Sequence, residues 1–254
     1  MGLSDEELER YARHLVLRQV GGTGQAKIRA AQVLIVGAGG LGSPLALYLA
    51  AAGVGFIGLV DDDIVSLSNL QRQILFQTGD VGRPKTEAAV KALAALNPGV
   101  RVESHPVRLT AANAGALIGG YDIVADGSDN FDTRFLVNDT CFALGKTLVS
   151  AAVTEFEGQL ATFKAYDKSG AYPCYRCLFP EPPAPGTVPN CSETGVIGAA
   201  AGVMGSLAAL EVLKEIAGIG QGLAGRLLIY EALCAQFRTI ALRPDPACRL
   251  CGHS

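Results

Sequence analysis

The sequence predicts an α/β protein with a Rossmann-like, doubly wound sheet that is parallel in its N-terminal half and antiparallel in its C-terminal half. Short apolar runs alternate with helical segments as far as about residue 150, and a glycine-rich turn directly follows the first apolar run. Beyond that point the strand-like segments alternate apolar and polar residues, which is typical of antiparallel pairing. Two cysteine pairs in this second half add a predicted structural metal site.

The composition excludes several classes of protein. The chain has 254 residues, of which 49% are hydrophobic and 18% charged, so it supports a sizeable core and is not intrinsically disordered. Its net charge of −3 indicates no general nucleic-acid-binding surface. The acidic N-terminus has no signal-peptide pattern, and the uncharged stretch 194–210 is shorter than the roughly 20 residues of a membrane span. We therefore expect a cytoplasmic protein with reduced cysteines and neither a nucleic-acid nor a membrane partner.

The first elements are a helix, a glycine cluster and a buried strand. Ser4 and Glu7 form a capping box that opens a helix to about Leu17. Three glycines then break the helical pattern: Gly21, Gly22 and Gly24. Residues 33–36 form an all-apolar run, which predicts a strand buried on both faces.

The next helix and strand complete a predicted strand–helix–strand unit. Ser43 and Pro44 predict the cap and first turn of a helix that ends near Gly53. Residues 56–60 form a second apolar run, and the acidic triplet 61–63 closes it. The unit therefore ends with carboxylates at the end of its second strand.

The central part of the chain continues the alternation. Pro84 opens a helix that stops at residues 97–98, and residues 100–103 alternate as a strand. Residues 121–125 predict a further buried strand, and a helix follows over 131–144. Strands and helices in this order favour a parallel sheet with helices on both faces.

The second half predicts three strands of antiparallel type, over residues 158–165, 226–230 and 236–242. Between the first two lies a proline-rich stretch, residues 179–191, which predicts an exposed loop or crossover. Residues 194–210 follow it as a buried, apolar core helix.

The glycine-rich turn predicts a nucleotide site. Gly37, Gly39 and Gly42 fit G-x-G-x-x-G between a strand and a helix, where glycines let the backbone approach a phosphate and the helix N-terminus carries partial positive charge. Asp61 ends the next strand, where an acidic residue can bind ribose hydroxyls. Taken alone, this pattern fits an NAD-dependent oxidoreductase equally well.

Cations and carboxylates elsewhere favour a triphosphate. Arg72 and Lys85 follow the acidic triplet, and two cations suit a triphosphate better than the pyrophosphate of NAD, although a solvated basic surface remains the alternative. Asp126 and Asp129 follow a central strand, where a carboxylate beside phosphates can hold Mg²⁺. Helix capping by Asp126 or Asn130 is the competing interpretation, and we favour it for Asp126.

The cysteines fall into three groups. Two C-x-x-C pairs provide four thiolates, enough to close the tetrahedron of a structural Zn²⁺ site: Cys174, Cys177, Cys248 and Cys251. Cys141 and Cys234 are predicted to lie in the core. Cys191 precedes the apolar helix and is a candidate nucleophile, although the sequence offers it no partner base.

Together these motifs resemble the MoeB/ThiF/HesA family, bacterial relatives of the ubiquitin-activating enzymes. The resemblance runs from residues 10–14 to Cys251 and covers the glycine turn, the segment 68–72, Lys85, the segment 126–130 and both cysteine pairs. Residues 65–73 and 189–193 are most similar to the molybdopterin-synthase adenylyltransferase branch, and the thiamine-pathway branch is the alternative.

The resemblance implies an activity. It implies that ATP adenylates the C-terminal Gly-Gly carboxylate of a small ubiquitin-fold sulfur carrier, either the small subunit of molybdopterin synthase or the thiamine-pathway carrier. It also implies a homodimer in which Arg13 enters the partner subunit's ATP site, and it makes Arg13, Arg72, Lys85, Asp129 and Cys191 the catalytic candidates. The implied nucleotide-binding residues are Gly37, Gly39, Gly40, Gly42, Asp61, Ser68, Asn69, Leu70, Gln71, Arg72, Lys85, Asp129 and Asn130.

The resemblance further implies one adenylation domain over residues 1–254. It comprises a helical arm over about 1–30, a nucleotide-binding half over about 31–150, and a carrier-binding and zinc half over about 151–254. An NAD-dependent oxidoreductase would leave the two cations, Asp129 and the cysteine pairs unexplained. A non-catalytic zinc scaffold would leave the glycine turn unexplained.

Overall fold

A computed structural model describes residues 2–183 and 195–252, and the described residues form one mixed sheet of eight strands. The strands are β1 (Gln32–Val36), β2 (Phe56–Val60), β3 (Arg101–His105), β4 (Ile123–Asp126), β5 (Thr147–Thr154), β6 (Glu157–Phe163), β7 (Arg226–Glu231) and β8 (Gln236–Ala241). The helices are α1 (Asp5–Arg10), α2 (Ala12–Leu15), α3 (Gly21–Ala30), α4 (Gly42–Ala52), α5 (Lys85–Leu96), α6 (Ala114–Gly119), α7 (Phe131–Leu144), α8 (Tyr175–Leu178) and α9 (Gly198–Ala217). None of the helices in these two ranges is long and apolar enough to cross a membrane.

The order of the strands determines where a cleft can open at the edge of the sheet. The order is β3-β2-β1-β4-β5-β6-β7-β8; pairing is parallel from β3 to β5 and antiparallel from β5 to β8. The sheet therefore has the parallel and antiparallel halves that the sequence predicts. From β1 the chain runs outward through β2 and β3 and then returns to the other side of β1 as β4. Such a reversal separates the connections at the ends of β1 and β4, where open α/β sheets bind ligands.

Two apolar layers cover the sheet. One contains buried residues of α4, α5 and α9, including Leu45, Leu93 and Met204. The other contains buried residues of α6 and α7, including Ile118 and Phe135. Neighbouring residues of β1 alternate between the two layers, so the strand is buried on both faces, as its unbroken apolar run predicts.

The N-terminal arm differs from the prediction. The capping box of Ser4 and Glu7 is present, but α1 ends at Arg10 and the short α2 follows. The glycine cluster does not break the helical structure; it begins α3, with Gly21 at φ +52°. Helix α3 forms there because it buries Gln25 and Ile28, so tertiary packing outweighs the low helix propensity of glycine.

Three further local predictions need correction. Ser43 lies inside the first turn of α4, whereas Leu41 holds the cap position without a side-chain capping bond. Strand β4 begins at Ile123 rather than residue 121. The sequence analysis did not predict β5. Its small residues have low strand propensity, but the strand pairs with both β4 and β6.

We expect Gly205→Ala to lower the free energy of unfolding by at least about 2 kcal/mol, because a Cβ at this position would overlap the carbonyl oxygen of Leu41 and approach Pro44 where α9 crosses α4. Gly202→Ala in the same helix is the matched control. A Cβ there meets nothing within 4 Å, so this variant should gain up to about 1 kcal/mol of helix propensity. Urea unfolding of the two variants measures the difference, and equal stabilities would contradict this packing.

Candidate functional site

A cleft of about 510 Å³ opens at the carboxyl ends of β1, β2 and β4. This volume lies in the range of small-molecule sites in proteins. Its lining includes apolar side chains, among them Val36, Val60, Val107 and Leu109, together with glycines, cations and carboxylates. The cleft can therefore hold a molecule with a flat apolar part and a charged part.

The glycine turn forms the floor of the cleft. Gly37 has φ +89°, a left-handed conformation that glycine adopts without strain, and it follows β1 directly. A Cβ on Gly42 would overlap the carbonyl oxygen of Gly37, so the start of α4 can pack on the end of β1 only because Gly42 has no side chain. Gly37, Gly39 and Gly40 line the cleft, whereas Gly42 supports them from below.

Asp61 holds the glycine turn in place. Its Oδ2 accepts a hydrogen bond of 2.7 Å from the backbone N–H of Ala38, and its Oδ1 accepts one of 2.9 Å from Asp63. Burial raises the pKa of the Asp61 carboxyl, and the ammonium group of Lys85, 4.0 Å from Oδ1, opposes that shift. Asp61 lines the cleft, but part of its hydrogen-bonding capacity is already used by the turn.

Lys85 lies at the mouth of the cleft with its charge partly neutralised. Its side chain is 6% exposed, and its Nζ donates to Asp63 Oδ2 at 2.7 Å. The carboxylates of Asp61, Asp62 and Asp63 lie within 4.8 Å of one another, but the Lys85 ammonium occupies this cluster. We therefore assign no metal ion to the triplet.

The segment after β2 contributes Asn69 and Arg72 to the cleft. The guanidinium of Arg72 donates to the carbonyl oxygen of Ser68 at 3.1 Å, which folds its side chain back along the segment. Arg72 and Lys85 thus meet in one cleft, as the sequence predicts. Ser68, Leu70 and Gln71 do not line it; Gln71 instead reaches the carbonyl oxygen of Val196.

The connection after β4 carries the remaining predicted side chains. Asn130 caps α7 by accepting from the N–H of Thr133 at 2.9 Å. Asp126 is not the cap: it is 1% exposed and accepts from the N–H of Ser128 at 2.9 Å, and burial raises the pKa of its carboxyl. Asp129 lies between Ser128 and Asn130, exposed and on the cleft wall. Asp129 and the two cations thus line one cleft, and Asp129 Oδ1 accepts a long hydrogen bond of 3.5 Å from Asn130 Nδ2.

Several residues that line the cleft were not predicted as site residues, and three of them have large polar side chains: Gln73, Arg108 and Arg134. Gln73 lies one position beyond Arg72, and Arg134 lies one helical turn beyond Asn130, so spacing offers a weak signal for both. Nothing in the sequence marks Arg108. Gln73 is 3% exposed, and its amide oxygen has no hydrogen-bond partner among the described residues.

The four predicted metal ligands come together on the far side of α7. The sulfur atoms of Cys174 and Cys177 lie 3.9 Å apart, those of Cys174 and Cys248 3.6 Å, and those of Cys177 and Cys251 3.4 Å. Four thiolates around Zn²⁺ at about 2.3 Å have sulfur–sulfur distances of roughly 3.8 Å. All four cysteines are free thiols, and burial raises the pKa of Cys174. The cluster therefore fits a tetrahedral cation, which would hold the thiolates in their ionised form.

Arg176 lies between the two cysteines of the first pair and connects the cluster to α7. Its guanidinium binds both carboxylate oxygens of Asp139, at 2.7 and 2.5 Å, and lies over the ring of Phe135 at 4.5 Å. Its buried Nη1 has no hydrogen-bond partner among the described residues. A cation here partly balances the negative charge of four thiolates.

The other predicted residues lie elsewhere. Arg13 is exposed on α2 and is not among the residues that line the cleft. Cys191 and most of the predicted proline-rich loop lie outside the described residues. Cys141 is buried in α7 as predicted, whereas the prediction for Cys234 is wrong: it is exposed in the turn between β7 and β8.

The unpaired amide oxygen of Gln73 leads to a prediction about the free energy of unfolding. We expect Gln73→Met to raise the free energy of unfolding by about 1 kcal/mol, because the variant no longer buries an unpaired acceptor. Gln25→Met is the matched control: Gln25 is also buried, but its amide bonds His14 and the carbonyl oxygen of Ala52, so this variant should lose about 1–3 kcal/mol. Urea unfolding without ligand compares them, and equal losses in both variants would contradict the unpaired state of Gln73.

Comparisons with known proteins are consistent with this geometry. The ThiF family model matches residues 11–250. A sulfur carrier protein adenylyltransferase of Thermus thermophilus is 54% identical over 253 residues, which cover 99% of this chain and 93% of that protein. The adenylyltransferase and sulfurtransferase MOCS3 of Bos taurus is 51% identical over 252 residues, 99% of this chain but only 54% of that longer protein. A crystal structure of E. coli MccB with MccA-N7isoASN has the same fold, with a TM-score of 0.83 at 22% identity over 96% of this chain and 75% of that one. The sequence match and the arrangement of the cleft agree, and the chain belongs to the ThiF family.

Proposed function

We propose that the protein is an adenylyltransferase that uses ATP to activate the C-terminal Gly-Gly carboxylate of a small ubiquitin-fold sulfur-carrier protein. The observation that carries this proposal is that one cleft contains the glycine turn, the cations Arg72 and Lys85, and the exposed carboxylate of Asp129. The names of the Thermus and Bos relatives support the same chemistry. A dinucleotide oxidoreductase would not need two cations and an exposed carboxylate in this arrangement.

The proposed reaction needs charge neutralisation rather than a general base. A carboxylate oxygen of the carrier attacks the α-phosphorus of ATP, the bond between the α- and β-phosphates breaks, and pyrophosphate leaves. The attacking carboxylate is already ionised at neutral pH, so the cleft's task is to align two anions and stabilise the negative charge. Arg72 and Lys85 are placed to do so, and Lys85 would exchange Asp63 for phosphate oxygens.

The adenine and the ribose fit the first part of the cleft. The apolar side chains suit a base, while Asp61 and Asn69 offer oxygen and amide groups to ribose hydroxyls. Gly37, Gly39 and Gly40 leave room for phosphates beside the N-terminus of α4. Gly42 and the backbone of residues 68–71 support this surface rather than contact the nucleotide.

Asp129 is the proposed ligand for Mg²⁺. It is exposed in the cleft, and the residues on either side of it, Ser128 and Asn130, are fixed by hydrogen bonds. Carboxylate oxygen suits this hard cation, which would neutralise phosphate charge when bound. The donor set therefore fits, with the remaining ligands supplied by phosphate oxygens and water.

The cysteine cluster is the proposed site of a structural Zn²⁺. Four sulfurs at tetrahedral spacing leave no position for a substrate. Their role is to fasten the segment after β8 to the turn at Cys174. All described cysteines are free thiols, which supports a reducing, cytoplasmic environment.

Assembly and pathway complete the proposal. The chain acts as one adenylation domain over residues 1–254 and as a homodimer, in which exposed Arg13 enters the partner subunit's cleft. The carrier binds the half of the chain from residue 151 onward, and Cys191 serves a thiol step after adenylation. The similarity of residues 65–73 and 189–193 to the molybdopterin branch supports molybdenum cofactor biosynthesis, and the thiamine-pathway carrier is the alternative substrate.

Exchange of labelled pyrophosphate into ATP tests the activity. We expect exchange only when a carrier with an intact Gly-Gly tail is present, and assays with the molybdopterin and thiamine carriers in turn identify the preferred substrate. Asp129→Ala should lower exchange by at least about 100-fold, because Mg²⁺ loses its protein ligand. Asp132→Ala removes an exposed carboxylate in the first turn of α7, three positions after Asp129. This variant should retain exchange. Exchange that is independent of the carrier would reject the proposal.

Mixed dimers test the shared site. Arg13→Ala and Asp129→Ala should each be nearly inactive alone. After subunit exchange about half the dimers are mixed, and each mixed dimer has one intact site, so activity should return to roughly a quarter of wild type. If Arg13 serves the cleft of its own chain, no intact site forms and mixing restores nothing.

Metal analysis and melting test the cysteine cluster. The purified protein should contain about one Zn²⁺ per chain, and Cys177→Ser or Cys251→Ser should lose the metal and lower Tm by about 5–10 °C, because metal binding contributes to folding. Cys234→Ser, which changes an exposed cysteine outside the cluster, should retain both zinc and Tm. A cluster variant that melts like the wild type would exclude a structural role.

A further inference from the structure

Arg134 contacts the backbone of the loop that carries Asp129. Its guanidinium donates twice to the carbonyl oxygen of Ser128, from Nε at 3.2 Å and from Nη2 at 2.8 Å. Ser128 directly precedes Asp129 in the chain, and Arg134 also lines the cleft. The planar fork of an arginine can make such a pair of bonds, whereas a lysine cannot.

The backbone N–H and the carbonyl oxygen of Ser128 both form hydrogen bonds. Its N–H donates to the buried carboxylate of Asp126 at 2.9 Å, while its carbonyl oxygen accepts from Arg134. On the other side of Asp129, Asn130 is fixed as the cap of α7. The Nδ2 of Asn130 also donates to Asp129 Oδ1, at 3.5 Å. The backbone on both sides of Asp129 is therefore held by polar contacts, and Arg134 makes the one that involves a full positive charge.

The side chain of Arg134 has Tyr175 as a neighbour. The two residues line the same small cavity beside Phe179. The tyrosine is 5% exposed and its ring packs against Phe135, Phe163 and Phe179, with centroid separations of 5.2, 5.8 and 5.0 Å. A ring held on three sides gives Arg134 a fixed neighbour.

The backbone connects Tyr175 directly to the cysteine cluster. It lies between Cys174 and Cys177, and its backbone N–H donates to the side-chain oxygen of Asn138 on α7 at 2.8 Å. Helix α8, which contains Cys177 and directly follows Cys174, is thus fastened to α7, the helix that Asn130 caps and whose first turn contains Arg134. A continuous path of contacts joins the cluster, Tyr175, Arg134 and Ser128.

We propose that Arg134 is a positioning residue for Asp129 and that Tyr175, in the first cysteine pair, holds Arg134 in place. The cysteine cluster then contributes to magnesium-nucleotide binding in a cleft that none of its sulfurs lines. This inference rests on the proposed function for the role of Asp129. The competing explanation is that Arg134 binds a phosphate directly, in which case its charge matters rather than its fork.

Calorimetric titration with ATP in the presence and absence of Mg²⁺ separates the two explanations. We expect Arg134→Lys to weaken Mg·ATP binding by about 10-fold, since it removes at least one of the two hydrogen bonds to Ser128. Tyr175→Phe, which removes the polar hydroxyl next to Arg134, should weaken it by roughly 3-fold. Binding of ATP without Mg²⁺ should change by less than about 2-fold in both, because Asp129 acts on the nucleotide through the ion. A direct phosphate contact would instead leave Arg134→Lys close to wild type.

A double-mutant cycle gives the second readout. In an Asp129→Ala background, Arg134→Lys should weaken Mg·ATP binding by no more than about 2-fold, because the residue on which Arg134 acts is missing. A full 10-fold loss in that background would overturn the positioning role. An unchanged affinity in Tyr175→Phe, together with a loss in Arg134→Lys, would overturn the link to the cluster.

Arg176→Met is the matched control for general weakening of the contact between the cluster and α7. It removes the ion pair with Asp139 and should lower Tm while leaving Mg·ATP affinity within about 2-fold. An affinity loss that followed Tm across all variants would contradict the specific path. If the wild type binds Mg·ATP but activates no Gly-Gly carrier, the proposed function fails and the titration still decides the role of Arg134.

Discussion

The cleft depends on the close approach of two backbone turns at the ends of neighbouring strands. The turn after β1 and the turn after β4 lie in contact: a Cβ on Gly127 would lie 3.1 Å from Leu41, and one on Gly37 would lie 3.2 Å from the carbonyl oxygen of Gly127. Side chains at these points would push the two turns apart. The surface of the glycine turn, the opening between the strands and the position of the β4 turn all follow from this contact.

The second constraint is electrostatic. Three of the cleft's cations have neighbouring oxygen partners: Arg72 and Arg134 bond backbone carbonyls, and Lys85 pairs with carboxylates. Arg108, by contrast, is exposed. Lys85 remains almost fully buried because Asp63 and Asp61 accompany it. The proposed anionic ligand would therefore meet cations that are already held in position.

Sequence reasoning predicted β1, β2 and β4 because each contains a short apolar run buried on both faces, and it predicted β3 from the alternation of its residues. It failed at α3 and β5 for a related reason. The glycines of α3 and the small residues of β5 have weak local preferences, and their structures follow from Gln25 and Ile28 in one case and from pairing with β4 and β6 in the other. The glycine turn, Asp61 and the cations of the cleft were predictable from their positions after predicted strands, whereas Gly40 and the segment 68–72 came from the family resemblance. Gln73 and Arg134 were not predicted, because the sequence does not show that Gln73 is buried with an unpaired amide oxygen or that Arg134 turns back onto the carbonyl oxygen of Ser128.

The separation of the two cysteine pairs has a consequence for synthesis of the chain. Cys174 and Cys248 are 74 positions apart, and α9, β7 and β8 lie between them. On the ribosome, the strands around β1 can pair well before the second pair of thiols has been translated. During that interval the turn at Tyr175 is attached to α7 only by its aromatic and polar contacts. The four thiols can therefore come together only late in synthesis, and they then attach the segment after β8 to elements that were translated before it.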